Sequence, residues 1–122
     1  MIAAYQGDFK IVAGLLSNGA EPNPTHGWTP LMYAAFQGHV KIAKLLLDKK
    51  ARVDAVTDNG VTALMLAAKQ GQDEIVELLL ASGADARLTD ESGKSAVDFA
   101  LSSTNTDIAE VIANAMRSAV KP

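Results

Sequence analysis

A chain of 122 residues, 48% of them apolar, has the length of one domain and enough hydrophobic surface for a core, which argues against a disordered chain. A formal net charge of -3, with acids and bases interspersed, provides no basic stripe for phosphates, and no apolar run approaches the roughly 18 residues that cross a bilayer. With no cysteine, disulfide frameworks, thiolate metal sites and cysteine nucleophiles are excluded together, while the compartment stays open.

Residues 1–6 show neither the charged head nor the apolar core of a signal peptide. They begin instead the second half of a unit that recurs along the chain. Ala3-Ala4-Tyr5-Gln6-Gly7 parallels Ala34-Ala35-Phe36-Gln37-Gly38 and Ala67-Ala68-Lys69-Gln70-Gly71. The period is set by Gly27, Gly60 and Gly93, 33 residues apart, which open Gly27-Trp28-Thr29-Pro30-Leu31-Met32, Gly60-Val61-Thr62-Ala63-Leu64-Met65 and Gly93-Lys94-Ser95-Ala96-Val97-Asp98. Self-similarity at such a period marks a repeat architecture. The chain divides into an incomplete copy at 1–26, full copies at 27–59 and 60–92, and a C-terminal copy at 93–122. Because Met1 aligns with Met32, the first copy lacks its hairpin segment, either by natural reduction or because residues before Met1 have been removed.

Within each copy Thr29 or Thr62 is placed to cap a helix start, and Pro30 suits the first helical position because no N–H is needed there. A short helix follows with Leu31, Ala34 and Ala35 on one face, ended by Gly38 or Gly71 in the left-handed conformation. Ile42, Leu45 and Leu46, and then Ile75, Leu78 and Leu79, form the apolar stripe of a second helix, which stops near Gly83. The polar segment 85–92 is rich in turn formers and predicts a hairpin-like loop. Tyr33, Leu66 and Phe99 share one place in the period and are expected in the core. In the last copy the helix predicted over 107–119 turns Ile108, Val111, Ile112, Ala115 and Met116 inward and Glu110, Asn114, Arg117 and Ser118 outward, as a terminal cap does. A helix pair of this size cannot bury its faces alone, so an all-α repeat solenoid of about four stacked pairs is expected.

Thr29-Pro30-Leu31, the Ala-Ala pairs, Gly38-His39 and Gly83-Ala84-Asp85 together resemble the ankyrin repeat family over nearly the whole chain. The resemblance implies an ankyrin-type stack of helix pairs joined by hairpin-like loops. Three departures stand out. The family's histidine after Thr-Pro-Leu is replaced by Met32, Met65 and Asp98, so the hydrogen bond it gives the turn is lost or remade. Lys50 occupies the place of Gly19 and Gly83, predicting a strained or differently shaped helix end. Thr104 replaces the mid-repeat glycine, so 102–105 should connect its helices more loosely.

No catalytic set emerges. His39 follows the repeat glycine and reads as structural, and His26 lies in a shortened proline-bearing loop. Asp54, Asp58, Asp85, Asp90 and Glu91 lack the dense alternation of a calcium loop, and Ser102 and Ser103 have no recognisable histidine and acid partners. The resemblance implies instead a concave binding side made by hairpin tips and first-helix edges. The tips are Trp28, then Val56, Asp58, Asn59 and Val61, then Thr89, Glu91, Ser92 and Lys94. The edges are Tyr5-Gln6, Phe36-Gln37, Lys69-Gln70 and Ser102-Ser103. Tyr5, Phe36 and Trp28 should gather on one part of the groove, either as anchors for a partner or packed on each other to cover the N-terminal end. The expected function is a monomeric protein-binding module, an adaptor or inhibitor without catalysis or cofactor. Neither nucleic acid nor membrane insertion is expected. The alternative is a regulatory or assembly fragment of a larger enzyme or channel. The expected compartment is the cytoplasm, with a mature secreted or periplasmic chain as the alternative.

Overall fold

The structure, a computed structural model, describes residues 28–119. Its helices fall two to each 33-residue copy: α1 (Pro30–Gln37) with α2 (Val40–Asp48), α3 (Ala63–Gln70) with α4 (Asp73–Ala81), and α5 (Ala96–Ser102) with α6 (Thr106–Ala119). First helices stack on first helices and second on second, giving two layers that run through the described copies. The loops between copies are hairpin-like, and in the last of them Thr89 and Ser95 form an isolated antiparallel bridge. No described helix is long and apolar enough to cross a membrane.

Each first helix starts where its cap dictates. The Thr29 hydroxyl accepts from the Met32 N–H and the Thr62 hydroxyl from the Met65 N–H, both at 3.2 Å, satisfying a donor that the helix start leaves free. The reciprocal bond that histidine would supply is remade with different chemistry. The Thr29 and Thr62 N–H groups donate to the Met32 and Met65 sulfurs at 3.4 Å, and the Ser95 N–H donates to the Asp98 carboxylate at 2.9 Å. Both methionines are buried, where a weak sulfur acceptor still spares an N–H from going unpaired.

A single apolar cluster runs through all three described copies, from Leu31, Ile42 and Leu46 through Leu64, Ile75 and Leu79 to Ile108 and Ile112. Burying each such side chain stabilises the fold by about 1.5–3 kcal/mol. The alanines Ala34, Ala35, Ala67 and Ala68 are fully enclosed, which is what lets first helices approach closely. Val111, expected inward, is 39% exposed, and Ala109 is buried instead. Val111 stands at the place of Leu78, on the border of the stripe, where a residue is covered only as far as its neighbours reach.

The two departures at helix ends differ in outcome from a loosened chain. Lys50 and Thr104 adopt φ of 68° and 60°, the left-handed region that glycine occupies in the equivalent places. The closing bonds are retained: Ala51 N–H to Leu46 O matches Ala84 N–H to Leu79 O, both at 3.0 Å, and Asn105 N–H to Ala100 O at 2.8 Å matches Gln72 N–H to Ala67 O at 3.0 Å. The expected looser connection at 102–105 is therefore corrected. Thr104 takes the glycine conformation at a local cost of about 1–3 kcal/mol because the surrounding bonds determine it.

Polar groups tie one copy to the next. Gln72 Nε2 donates to Phe36 O at 3.2 Å, and Asn105 Nδ2, 33 residues on, donates to Ala68 O at 3.1 Å. On the loop side the Asp85 N–H donates to Asp54 Oδ1 and the Glu91 N–H to Asn59 O, each at 2.9 Å.

Candidate protein-binding surface

The hairpin tips have the same construction from different side chains. Thr57 Oγ1 accepts from the N–H groups of Asn59 and Val61 at 3.2 and 3.1 Å, while Asp90 Oδ1, one period later, accepts from those of Ser92 and Lys94 at 2.9 and 3.0 Å. Hydroxyl and carboxylate here each hold a turn by bonding the backbone just ahead of them. At Gly60 the tips come so close that an added Cβ would lie 3.2 Å from Asp90 Cα, and its φ of 80° favours glycine.

The 33-residue period sets the tip and first-helix residues in three rows. The tip row is Trp28, Val61 and Lys94; the floor row is Tyr33, Leu66 and Phe99; the helix-edge row is Phe36, Lys69 and Ser102. Between them lies a cavity of about 480 Å³, walled by Trp28, Phe36, Val61, Leu66 and Phe99, with Thr57, Asp58 and Asn59 at the tip and Lys69 at the helix edge. Trp28 packs on Tyr33 with ring centroids 5.1 Å apart and edge-on against Phe36 at 5.5 Å, both in the favourable range for aromatic pairs.

The floor row corrects one expectation. Leu66 is buried, but Tyr33 and Phe99 are half-buried, and Leu66 and Phe99 border the cavity. The reason is helical geometry: each lies three residues before a helix-edge position and so shares its face. That spacing was available in the sequence and turns Phe99 toward the groove, while Tyr33 packs on Trp28 and against the core.

Of the other positions assigned to binding, Tyr5 and Gln6 lie outside the described residues, as does His26. Val56 is 53% exposed and stands apart from the cavity lining. Gln37 is half-buried, and Gln70, Glu91, Lys94, Thr89 and Ser92 are exposed. Neither Lys69 nor Lys94 stands within ion-pair distance of a described carboxylate. His39 precedes α2 without a capping hydrogen bond from its side chain. Among the described residues no group of three or more His, Cys, Asp or Glu side chains is placed to hold a metal ion.

The family model of ankyrin repeats, three copies, matches residues 1–90 and 54–120. Among curated proteins the chain is 38% identical over 63 residues to the phosphate system positive regulatory protein PHO81 of Saccharomyces cerevisiae, a match covering 49% of this chain and 5% of that protein. It is 40% identical over 55 residues to a putative ankyrin repeat protein of Rickettsia bellii, covering 43% of this chain and 16% of the relative. It is also 40% identical over 58 residues to the ankyrin repeat, SAM and basic leucine zipper domain-containing protein 1 of Loxodonta africana, covering 46% and 12%. The matches thus span a small part of each relative. Three helix pairs in register, capped threonines and a full-length family match make this chain a member of the ankyrin repeat family, whose repeats are protein-interaction modules and in general not catalytic.

Proposed function

We propose that the chain binds a partner protein on its concave face, as an adaptor or inhibitor without chemistry of its own. The observation that carries this reading is the cavity of about 480 Å³ walled by Trp28, Phe36, Leu66 and Phe99. Large aromatics in a partly open pocket are the usual anchors of protein interfaces, and truncating one costs on the order of 2 kcal/mol. The proposed surface extends over Tyr5, Gln6, Gln37, Val56, Asp58, Asn59, Val61, Lys69, Gln70, Glu91 and Lys94, with the aromatics at its centre. A second reading, regulation or assembly of a larger protein by the array, is favoured by the small share of each relative that the chain matches.

The test is capture of a partner from the native host by wild type, Trp28→Ala and Phe36→Ala, with the melting temperature of each. The expected result is a loss of affinity of roughly thirtyfold, the equivalent of about 2 kcal/mol. Lower melting temperatures with capture unchanged identify the aromatics as packing alone.

A further inference from the structure

We propose that Asn59-Gly60, at the hairpin tip where the copy at 27–59 meets the copy at 60–92, is a site of spontaneous modification. The Asn59 carboxamide is lost to the neighbouring main-chain nitrogen, at a rate set by how often this tip parts from the next one. The reaction needs no partner and is independent of what the cavity binds.

The Gly60 nitrogen, once hydroxide has removed its proton, attacks Cγ of Asn59. The new C–N bond closes a five-membered imide, the bond from Cγ to Nδ2 breaks, and that nitrogen leaves as ammonia with a proton from water. Water then opens the imide at one of its two carbonyls, giving aspartate or isoaspartate, in which the main chain runs through the former side chain. In sum, a carboxamide and one water give a carboxylate and ammonium. Ring closure is intramolecular, so approach of the two atoms limits it rather than encounter. A side chain at residue 60 would crowd that approach, and glycine has none.

Of the five asparagines in the chain, two precede glycine, Asn18 and Asn59, the first outside the described residues. Asn59 is exposed, and its carboxamide makes no hydrogen bond with a described residue. Asn105 differs on both counts, since its Nδ2 donates to Ala68 O at 3.1 Å and the β-branched Thr106 follows it. Asn114, whose Oδ1 accepts from Arg117, precedes Ala115 inside α6.

Main-chain bonds hold the reaction back. The Gly60 N–H donates to Thr57 O and the Glu91 N–H to Asn59 O, each at 2.9 Å, while the Asn59 N–H donates to Thr57 Oγ1 at 3.2 Å. They pin both sides of the peptide that must turn for the Gly60 nitrogen to reach Cγ. Loops open locally at a free energy below that of global unfolding, and each opening of the tip admits the attack. Isoaspartate lengthens the main chain by one carbon ahead of Gly60, so the carbonyl that meets the Glu91 N–H loses its place. The product also sets a new carboxylate next to Asp58 on the cavity rim.

The experiment holds the folded chain, and the chain unfolded in guanidinium chloride, at mildly alkaline pH and samples both over time. Trypsin then releases residues 53–69, in which Asn59 is the sole asparagine, and residues 95–117, which contain Asn105 and Asn114. Mass spectrometry reads the replacement of amide by acid, and chromatography against synthetic peptides separates aspartate from isoaspartate. The expected result is conversion of Asn59 in the folded chain at least about tenfold slower than in the unfolded one, with isoaspartate among the products. The rate should rise in proportion to hydroxide, and residues 95–117 should stay unconverted in the folded chain. Thr57→Ala removes the Oγ1 acceptor from the tip and is expected to speed the folded reaction about threefold, with circular dichroism confirming the fold. Folded conversion less than about tenfold below the unfolded rate, or none after about a hundred half-times of the unfolded reaction, overturns the proposal. So does a folded rate that Thr57→Ala leaves unchanged, because the tip then does not govern the attack.

Discussion

The copies at 60–92 and 93–122 build the same backbone and differ in what covers them. Met65 is 1% exposed and its counterpart Asp98 is exposed; Ala68 is fully enclosed and its counterpart Leu101 is 51% exposed. The helix pair, the N-terminal bond and the closing turn survive all of these exchanges. What the difference teaches is that intra-copy hydrogen bonds fix the unit, whereas the chemistry of each place follows the neighbour stacked on it. A sulfur serves where a further copy covers the turn, and a carboxylate serves where water does.

The comparison breaks first in the interior. Leu79→Ala, at a fully buried site between neighbours, is expected to lower stability by about 2–5 kcal/mol in urea unfolding; a loss below that range would mean that the interior copy is not the tighter one. Ala68→Leu installs the residue of the terminal copy where first helices touch, and overpacking is expected to cost about 1–3 kcal/mol, seen as a lower melting temperature. The reverse exchange, Leu101→Ala, should stay within about 0.5 kcal/mol, as for an exposed site. Asn105→Ala removes the bond to Ala68 O and should cost about 0.5–1.5 kcal/mol, with faster hydrogen exchange in α5 and α6 than in α3. Thr104→Gly sharpens the comparison from the other side: relief of its left-handed strain, partly offset by a more flexible unfolded chain, is expected to raise the unfolding free energy by less than about 1 kcal/mol, read as a higher denaturation midpoint.

Much of this fold was legible because the period of 33 residues aligned glycines, threonines and leucines that each have a local physical role. The stripe of Ile75 and Leu79, the cap at Thr62 and the stop at Gly71 all follow from spacing within one helix. Features set by the adjoining copy were less visible. Gln72 and Asn105 share a place in the period, but their acceptors, Phe36 O and Ala68 O, belong to the preceding copy. Val111 read as inward because a stripe shows direction, whereas cover depends on what lies beside it. The methionine caps were hidden for a chemical reason, since Met32 and Met65 read as core hydrophobes and only the geometry shows their sulfurs accepting a bond. In the groove, the meeting of Trp28 with Phe36 follows from alignment, whereas the shared place of Tyr33, Leu66 and Phe99 in the period shows that they pack on the core but not how far each borders the cavity.

The contact between hairpin tips has one more consequence. With Gly60 against Asp90 and the Glu91 N–H on Asn59 O, the step from one tip to the next is set by main-chain atoms. Side chains along the tips are thus letters on a ruler whose graduations do not depend on them. Evolution or design can respell Trp28, Val61 and Lys94 for another ligand while the pitch of the scaffold stays the same.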